Sequence, residues 1–593
     1  MKYKRLTAAI MLVAFALSGC SKAVTDETLK IRHKDIKETE KIIETDPIVP
    51  DVTEETETEP VPSTPSNYNS DILDLTMFIG YTGSEKDYGN NEIQELIAQK
   101  TGVRVKEEFL NNGRTLGEEV GAMIASGQLP DYIDAGDANV TFYENDLLVC
   151  WDPYLEMYPN LKALYTDEEW DKFRMSDGHI YWANVFGNHY NNVDTSTGHN
   201  GQAFWIQNRV LKEFGYPLVE TLDDYFKLLE DYYELHPEMP DGTPIIPYTM
   251  LCEDWRYFCL ECPPMYLDGY PNDGCVIVDV SDPSNPVVKD YNTSDTAKKY
   301  FKKLNEEYNK GIIDPDFDEM TYDEYIEKLS TGCVLGMCDQ YWDFAYTLMY
   351  TYTDELIDLG CEYVPVGITI EAGMDNQWHQ YGDEINQVSG IAVTTNCPDP
   401  NVAFKFLNDI MDPEIHNLRF WGVEGVDYYV DDSGLFYRTP EMRENWSNPD
   451  YLREHVCQYY YMPQWLGMNY DGINMMQPSE QTSEFYATLS EPMLYCFMAY
   501  GATTYADMLR SVDEGHYPWY PMWTWSNNLY GELPGGAEYQ AISQTKHEYL
   551  PQVVKAKNFD SIWSEYMDAY EEADPEGFLN AAQEEVDRRL NGG

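Results

Sequence analysis

Three features of this 593-residue chain predict an α/β protein built as two lobes. Strand-like and helix-like segments alternate at short spacing from residue 73 onward, the signature of parallel βαβ units. Further βα blocks recur later, separated by long insertions, as crossovers between two lobes require. The body beyond an acidic N-terminal tract is about 520 residues, long for one domain and suited to two or three. No internal repeat points to a solenoid, and the pattern does not fit a sandwich.

In chain order, the first residues combine positive Lys2, Lys4 and Arg5 with an apolar core from Ala8 to Leu17 that is too short for a membrane span. Leu17-Ser18-Gly19-Cys20 follows, and the whole resembles a bacterial lipoprotein signal with its lipobox. That resemblance implies removal of residues 1–19 and acylation of Cys20, with more than one acyl chain for stable anchoring. Residues 20–70 form an acidic linker with almost no large apolar side chains, as in "DVTEETETEPVPSTPSNYNS". Such a segment buries too little surface to offset its ordering entropy. As a random coil of about 50 residues it would reach roughly 40 Å. No later apolar run is long enough to span a bilayer.

Within the body, "LDLTMFIGY" (73–81) reads as a buried strand, "NNEIQELIAQKTG" as a helix closed by Gly102, and "VRVKEEFL" (103–110) as the next strand. "LGEEVGAMIASG" is a second helix ending at Gly127, and "PDYIDAG" a third strand. "AFWIQNRVLKEFGYP" (203–217) is a strand entering a short helix, and "TLDDYFKLLEDYYEL" (221–235) is a helix with Thr221 as N-cap. "SDTAKKYFKKLNEEYNKG" (294–311) carries the apolar stripe Ala297, Phe301, Leu304, Tyr308. "GIAVTTNCPDPNVAFKFLNDIM" (390–411) gives a strand, a turn and a helix, and the C-terminus gives two helices broken at Asp574-Pro575.

Composition narrows the function. With 104 acidic against 39 basic residues the formal net charge is −65, so nucleic acids and anionic polysaccharides are repelled over most of the surface while neutral ligands are not. The 49 tyrosines and 14 tryptophans suit a protein that handles rings with apolar faces. Apart from Cys20, eleven cysteines are scattered along the body. Cys259 and Cys262 form a CxxC that no second CxxC or spaced His pair completes, so no metal site is expected and the thiols read as small buried hydrophobes. "DPDFDEMTYDEY" (314–325) fails as a calcium loop, with Glu319 where Gly belongs and Tyr325 where a bidentate Glu belongs. No GxSxG, HExxH or phosphate-binding glycine loop appears, and no cofactor is expected.

Seven segments in register carry a family resemblance: "AQKTGVRV", "MIASGQLPDYI", "GHIYWAN" followed by "AFWIQNRVLKEFGYPLVETLDDY", "EEYNKGIIDPDF", "STGCVLGMCDQYWDF", "IAVTTNCPDPNVAFKFLNDIM" and "WGVEGVDYY". Over residues 71–593 the chain resembles the extracellular solute-binding lipoproteins of carbohydrate ABC importers in Gram-positive bacteria. It departs from them at Gln207-Asn208-Arg209, where the family commonly has Arg-Lys-Asp. The resemblance implies the periplasmic-binding-protein-like fold of type 2, two hinged lobes that close on a ligand. It places lobe 1 at 71–190 plus about 388–440, and lobe 2 at about 200–387 plus about 441–593. It implies a non-enzymatic monomer, lipid-anchored on the extracellular face of the cell membrane, that delivers a neutral oligosaccharide to ABC permease subunits. A peptide or other small solute is the alternative ligand, and a cell-surface glycoside hydrolase the alternative activity.

Neutral sugars stack their C–H faces on aromatic rings and pair their hydroxyls with carboxylates and amides. Ligand residues are therefore sought where Trp or Tyr stands beside Asp, Glu, Asn or Gln on loops at strand ends. "MCDQYWDF" follows the apolar strand "GCVLGM" and offers Trp342 as a stacking platform with Asp339. "CEDWRYF" (252–258) puts Asp254, Trp255 and Arg256 in three residues. Asp134 and Asp137 of "DAGD" end the third strand, and Tyr81-Thr82 end the first, facing the ligand in similar proteins. Trp378, next to His379, and Trp421 complete the set. None is expected to be catalytic.

Overall fold

A computed structural model describes residues 72–590 apart from 82, 85, 112, 186, 191–196, 272–273, 381–384, 388, 513–516, 518, 528 and 530. The expected signal, the lipid-bearing Cys20, the linker and Thr82 therefore lie outside the described residues. No helix among the described residues is long and apolar enough to cross a membrane.

Nine strands build the two main sheets: β1 (Leu73–Ile79), β2 (Val103–Phe109), β3 (Tyr132–Asp134), β4 (Trp182–Ala183), β5 (Gln202–Gln207), β6 (Ile246–Thr249), β7 (Val334–Gln340), β8 (Tyr363–Val366) and β9 (Ile391–Val393). They fall into two compact units. The first holds the described residues up to Tyr190 and from Ile385 to Glu484; the second holds those from Thr197 to Gln380 and from Phe485 to Leu590.

The first unit's sheet has the order β2-β1-β3-β9-β4. β1 pairs in parallel with β2 and β3, as the βαβ spacing predicts. β9, which arrives after the excursion through the second unit, runs antiparallel to β3 and β4, so the sheet is mixed rather than purely parallel. Side chains alternate across it. Leu75, Met77 and Ile79 pack in one core with Ile93, Ile97, Phe404 and Leu407, while Phe78 joins Ile133, Val120 and Phe142 on the other face. The helix Glu92–Thr101 is fixed at both ends: the Asn91 side chain accepts from the Gln94 N–H, and Gly102 closes it at φ 76°.

The second unit's sheet has the order β8-β5-β7-β6, with β6 and β7 parallel and β5 antiparallel to both β7 and β8. The helix Leu222–Leu235 begins with a capping box in which Thr221 and Asp224 satisfy each other's backbone N–H. The helix Asp295–Lys310 buries Ala297, Phe301 and Leu304 and ends at Gly311. The C-terminal helices Phe559–Glu572 and Pro575–Leu590 break at Asp574, whose φ is 57°. Gln207, Asn208 and Arg209, the point of departure from the resembling family, are all buried. Arg209 donates to the Gln207 Oε1 and to the Gly332 carbonyl.

Residues 441–484, expected in the second lobe, pack on the first unit instead. Tyr459, Met462 and Trp465 join its core, and Asn91 Nδ2 donates to the Val456 carbonyl at 2.9 Å. The fastening is Arg419, fully buried, whose guanidinium donates to the carbonyls of Ile410, Gln458, Tyr459 and Pro463 at 2.6–3.0 Å. Its acceptors are all backbone atoms, so no residue pattern announces the contact. All eleven cysteines of the described body are free thiols and nine of them are buried, which fits their reading as small hydrophobes.

Arg419→Met should strand those carbonyls in the core. The expected loss is about 3 kcal/mol or more, measured by chemical denaturation, because each buried polar group left without a partner costs about 1–3 kcal/mol.

Candidate functional site

In the second unit, β6 and β7 are parallel neighbours, so their carboxyl ends open on the same edge. Directly after β7 the chain enters the helix Tyr341–Thr351, which carries Trp342 on its first turn. Shortly after β6 it makes the 3-10 turn Asp254–Tyr257, which carries Trp255. The two indoles stack with centroids 5.6 Å apart and planes 17° from parallel, and Phe258 lies 6.0 Å from Trp255. Trp255 is 58% exposed and Trp342 37%, and among the described residues they are the two exposed tryptophans. Apolar rings of this size left at the surface, side by side, make this edge a candidate binding face.

An ion pair underlies the stack. Arg256 Nε donates to both oxygens of the buried Asp343 at 3.0 and 3.1 Å. Its guanidinium carbon lies over two rings, 4.3 Å from the Trp255 centroid and 4.0 Å from that of Tyr322. Tyr322 in turn donates its hydroxyl to the Asp343 carbonyl at 2.6 Å. Burial raises the Asp343 pKa and Arg256 opposes the rise. Asp254 belongs to the same turn, but its side chain lies outside the described residues.

Asp339 differs from the expectation. It is fully buried, accepts from the Tyr325 hydroxyl and the Gln340 N–H at 2.7 Å each, and its pKa is raised by burial and by the neighbouring Asp343. It braces the turn from β7 into the helix and does not face a ligand. Two more expectations are corrected. Trp378 is 2% exposed, stacked on Tyr266 at 4.2 Å, and donates Nε1 to the Ile368 carbonyl. Trp421 is fully buried and donates Nε1 to the Met475 carbonyl. Both indoles fill cores with their one polar atom satisfied, so neither offers a face to a ligand here. His379 is likewise buried, 3.0 Å from His199. Within the rejected calcium run, Asp314 accepts from Lys328 at 2.6 Å and Asp318 pairs with Lys555.

In the first unit, the ends of β1, β2 and β3 bring a second aromatic group together. Tyr81 stacks on Tyr461 at 5.7 Å and 14°, with Phe109 edge-on to Tyr461 at 6.2 Å. Gly136 at φ 57° lets the backbone approach the Tyr81 hydroxyl, which would stand 3.1 Å from a Cβ there. Asp137 is exposed, whereas Asp134 is 1% exposed and accepts from the Gly136 N–H at 3.1 Å. Burial raises the Asp134 pKa to about 6 and that of the buried Glu107 on β2 to about 7. Tyr461, Phe109 and Glu107 were not expected at this edge. The run Tyr459-Tyr460-Tyr461 was a visible aromatic signal, but the sequence placed it in the other lobe.

Two outcomes follow. Arg256→Ala would leave the Asp343 carboxylate buried and unpaired, an expected loss of about 3 kcal/mol, with a red-shifted tryptophan emission as Trp255 loosens; Arg256→Lys should recover stability only in part. In the first unit, Glu107 ordinarily titrates at 4.5 but keeps its proton to about 7 in the fold. A raised acid favours the fold below the unfolded value, and that contribution is lost as pH rises through the folded value. Between about pH 5 and about pH 8 the wild type should therefore lose on the order of 2–3 kcal/mol relative to Glu107→Gln, whose amide does not ionise, read from denaturation at each pH.

No family model matches the chain. The fructooligosaccharide ABC transporter substrate-binding protein FusA of Streptococcus pneumoniae is 25% identical over 259 residues, which are 41% of this chain and 45% of that protein. The match thus spans less than half of that relative. Among solved structures, an HMO-binding ABC-transporter-associated solute-binding protein from Bifidobacterium longum infantis superposes with a TM-score of 0.57 at 14% identity, over 87% of this chain and 99% of that one. FusA in complex with kestose gives 0.56 at 17% identity, over 88% and 100%. The chain has the two-lobe α/β fold of the ABC-transporter solute-binding proteins, and over 259 residues it is related in sequence to one of a fructooligosaccharide transporter.

Proposed function

We propose that the chain is a substrate-binding lipoprotein that captures a neutral oligosaccharide for an ABC permease, held to the extracellular face of the membrane through Cys20 and its acidic linker. The observation that carries this reading is the exposed Trp255–Trp342 stack at the carboxyl edge of the second unit's sheet. A sugar ring placed on it loses apolar surface to water and keeps its hydroxyls free to pair. Within the first unit, Asp137 is exposed just after β3 and is an acceptor of the kind hydroxyls need. The net charge of −65 favours an uncharged ligand.

The chemistry around the stack favours a saccharide over the alternatives. A peptide carboxylate would seek Arg256, whose Nε is committed to the buried Asp343 and whose guanidinium lies over the Trp255 and Tyr322 rings. Glycoside hydrolysis needs two carboxyls addressing the scissile bond. Of the acids beneath the stack, Asp343 is neutralised by Arg256 and Asp339 is sealed from solvent. Binding without covalent change is the role these groups fit.

Titration calorimetry with neutral oligosaccharides, fructooligosaccharides included, against a peptide panel tests this. A saccharide at about 100 times its Kd should stabilise the chain by about 2.7 kcal/mol. Trp255→Ala and Trp342→Ala should each weaken binding by about tenfold, or about 1.4 kcal/mol. Heat from peptides alone, or release of reducing sugar by the purified protein, would overturn the proposal. Small-angle scattering with and without the bound saccharide reports whether the chain compacts, as the family resemblance implies, and Cys20→Ala should release the protein into the medium.

A further inference from the structure

On the first unit, three side chains of different chemistry converge. Cys150 precedes the short helix Asp152–Leu155, and Asp152 opens it. The Trp151 N–H donates to the Ile180 carbonyl at 2.8 Å, which brings the segment around residue 179 alongside. That segment is a closed turn: Met175 N–H donates to the His179 carbonyl and Gly178 N–H to the Met175 carbonyl, both at 2.8 Å, with Gly178 at φ 84°. As a result the Cys150 Sγ, one Asp152 oxygen and a His179 ring nitrogen lie within 4.8 Å of one another.

The three donor atoms are spaced closely enough for one cation to reach them all. The Cys150 thiol lies 3.0 Å from Asp152 Oδ2 and His179 Nδ1 lies 3.2 Å from the same oxygen. A tetrahedral zinc ion with bonds of about 2.0–2.3 Å sets neighbouring ligand atoms roughly 3.3–3.6 Å apart, so small rotations suffice to admit it. The second Asp152 oxygen is held from behind by Arg174 Nη1 at 2.6 Å, and that same nitrogen donates to the Gly178 carbonyl at 2.9 Å. Arg174 thus fixes both the carboxylate and the turn that carries the histidine, the task of an outer-shell partner. His179 is exposed and Cys150 partly so, which leaves a path from solvent and room for water as a fourth ligand.

We propose that Cys150, Asp152 and His179 form a binding site for a thiophilic divalent cation of the zinc class, independent of the saccharide site. On binding, the metal takes the thiolate sulfur, Oδ2 and Nδ1, and the thiol proton passes to solvent. Thiolate, imidazole and carboxylate are the donors such ions select over calcium or magnesium.

Cobalt(II) added to the reduced full-length protein under anaerobic conditions is the probe. One equivalent should give a thiolate-to-metal charge-transfer band in the near ultraviolet, bleached by an equivalent of zinc. Cys150→Ser should abolish the band while leaving saccharide titration unchanged. His179→Ala, at an exposed position that the fold tolerates, should weaken cobalt binding at least tenfold, and Arg174→Gln by about tenfold through the outer shell. Absence of the band in the wild type, or its survival in Cys150→Ser or at full affinity in His179→Ala, would overturn the proposal.

Discussion

The Arg256–Asp343 pair is the constraint on which the candidate binding face depends. Two tryptophans at a surface would ordinarily fold down onto apolar neighbours or sample many rotamers. Here the guanidinium fixes the shelf beneath them: its Nε is committed to both oxygens of one buried carboxylate, and its central carbon lies over the rings of Trp255 and Tyr322. Arg suits this role where Lys would not, since a point charge has no flat face to stack. The pair also sets the Arg256 charge against the buried Asp343 carboxylate directly below the exposed rings.

The same economy recurs through both units, where polar groups are buried with partners that are mostly backbone. Arg419 is satisfied by four carbonyls. Asn305 donates to the carbonyls of Val553, Val554 and Ala556. Such contacts tie distant segments to one register, because moving either segment would leave a buried donor or carbonyl unpaired. The acids Asp134 and Glu107 follow a different solution: burial raises their pKa values, so protonation lowers the charge that the core must hold.

Much of the fold could be read from the sequence because it is encoded locally. The helix Glu92–Thr101 between Asn91 and Gly102, the capping box at Thr221, and the break at Asp574-Pro575 each rest on a few adjacent residues and on the 3.6 or 2.0 periodicity of apolar side chains. Two of the candidate ligand residues, Trp255 and Trp342, were reachable for a related reason: each stands just past a strand, and parallel strands deliver such positions to one edge. Trp378 and Trp421 satisfied the same compositional rule and proved to be core residues, because nothing in a short motif states which side of an indole will be covered.

By itself, then, the sequence determined the elements, their caps, the α/β character, the strong negative charge, and the strand ends at which candidate ligand residues were sought. The tertiary structure decided which acids are buried and which are free, that residues 441–484 belong to the first unit, that Trp255 and Trp342 lie against each other, and that Cys150, Asp152 and His179 meet. The division has one physical cause. Local structure follows from backbone geometry and side-chain periodicity within a few residues, whereas burial and convergence depend on packing between segments far apart in the chain, much of it through backbone carbonyls and N–H groups that every residue carries alike.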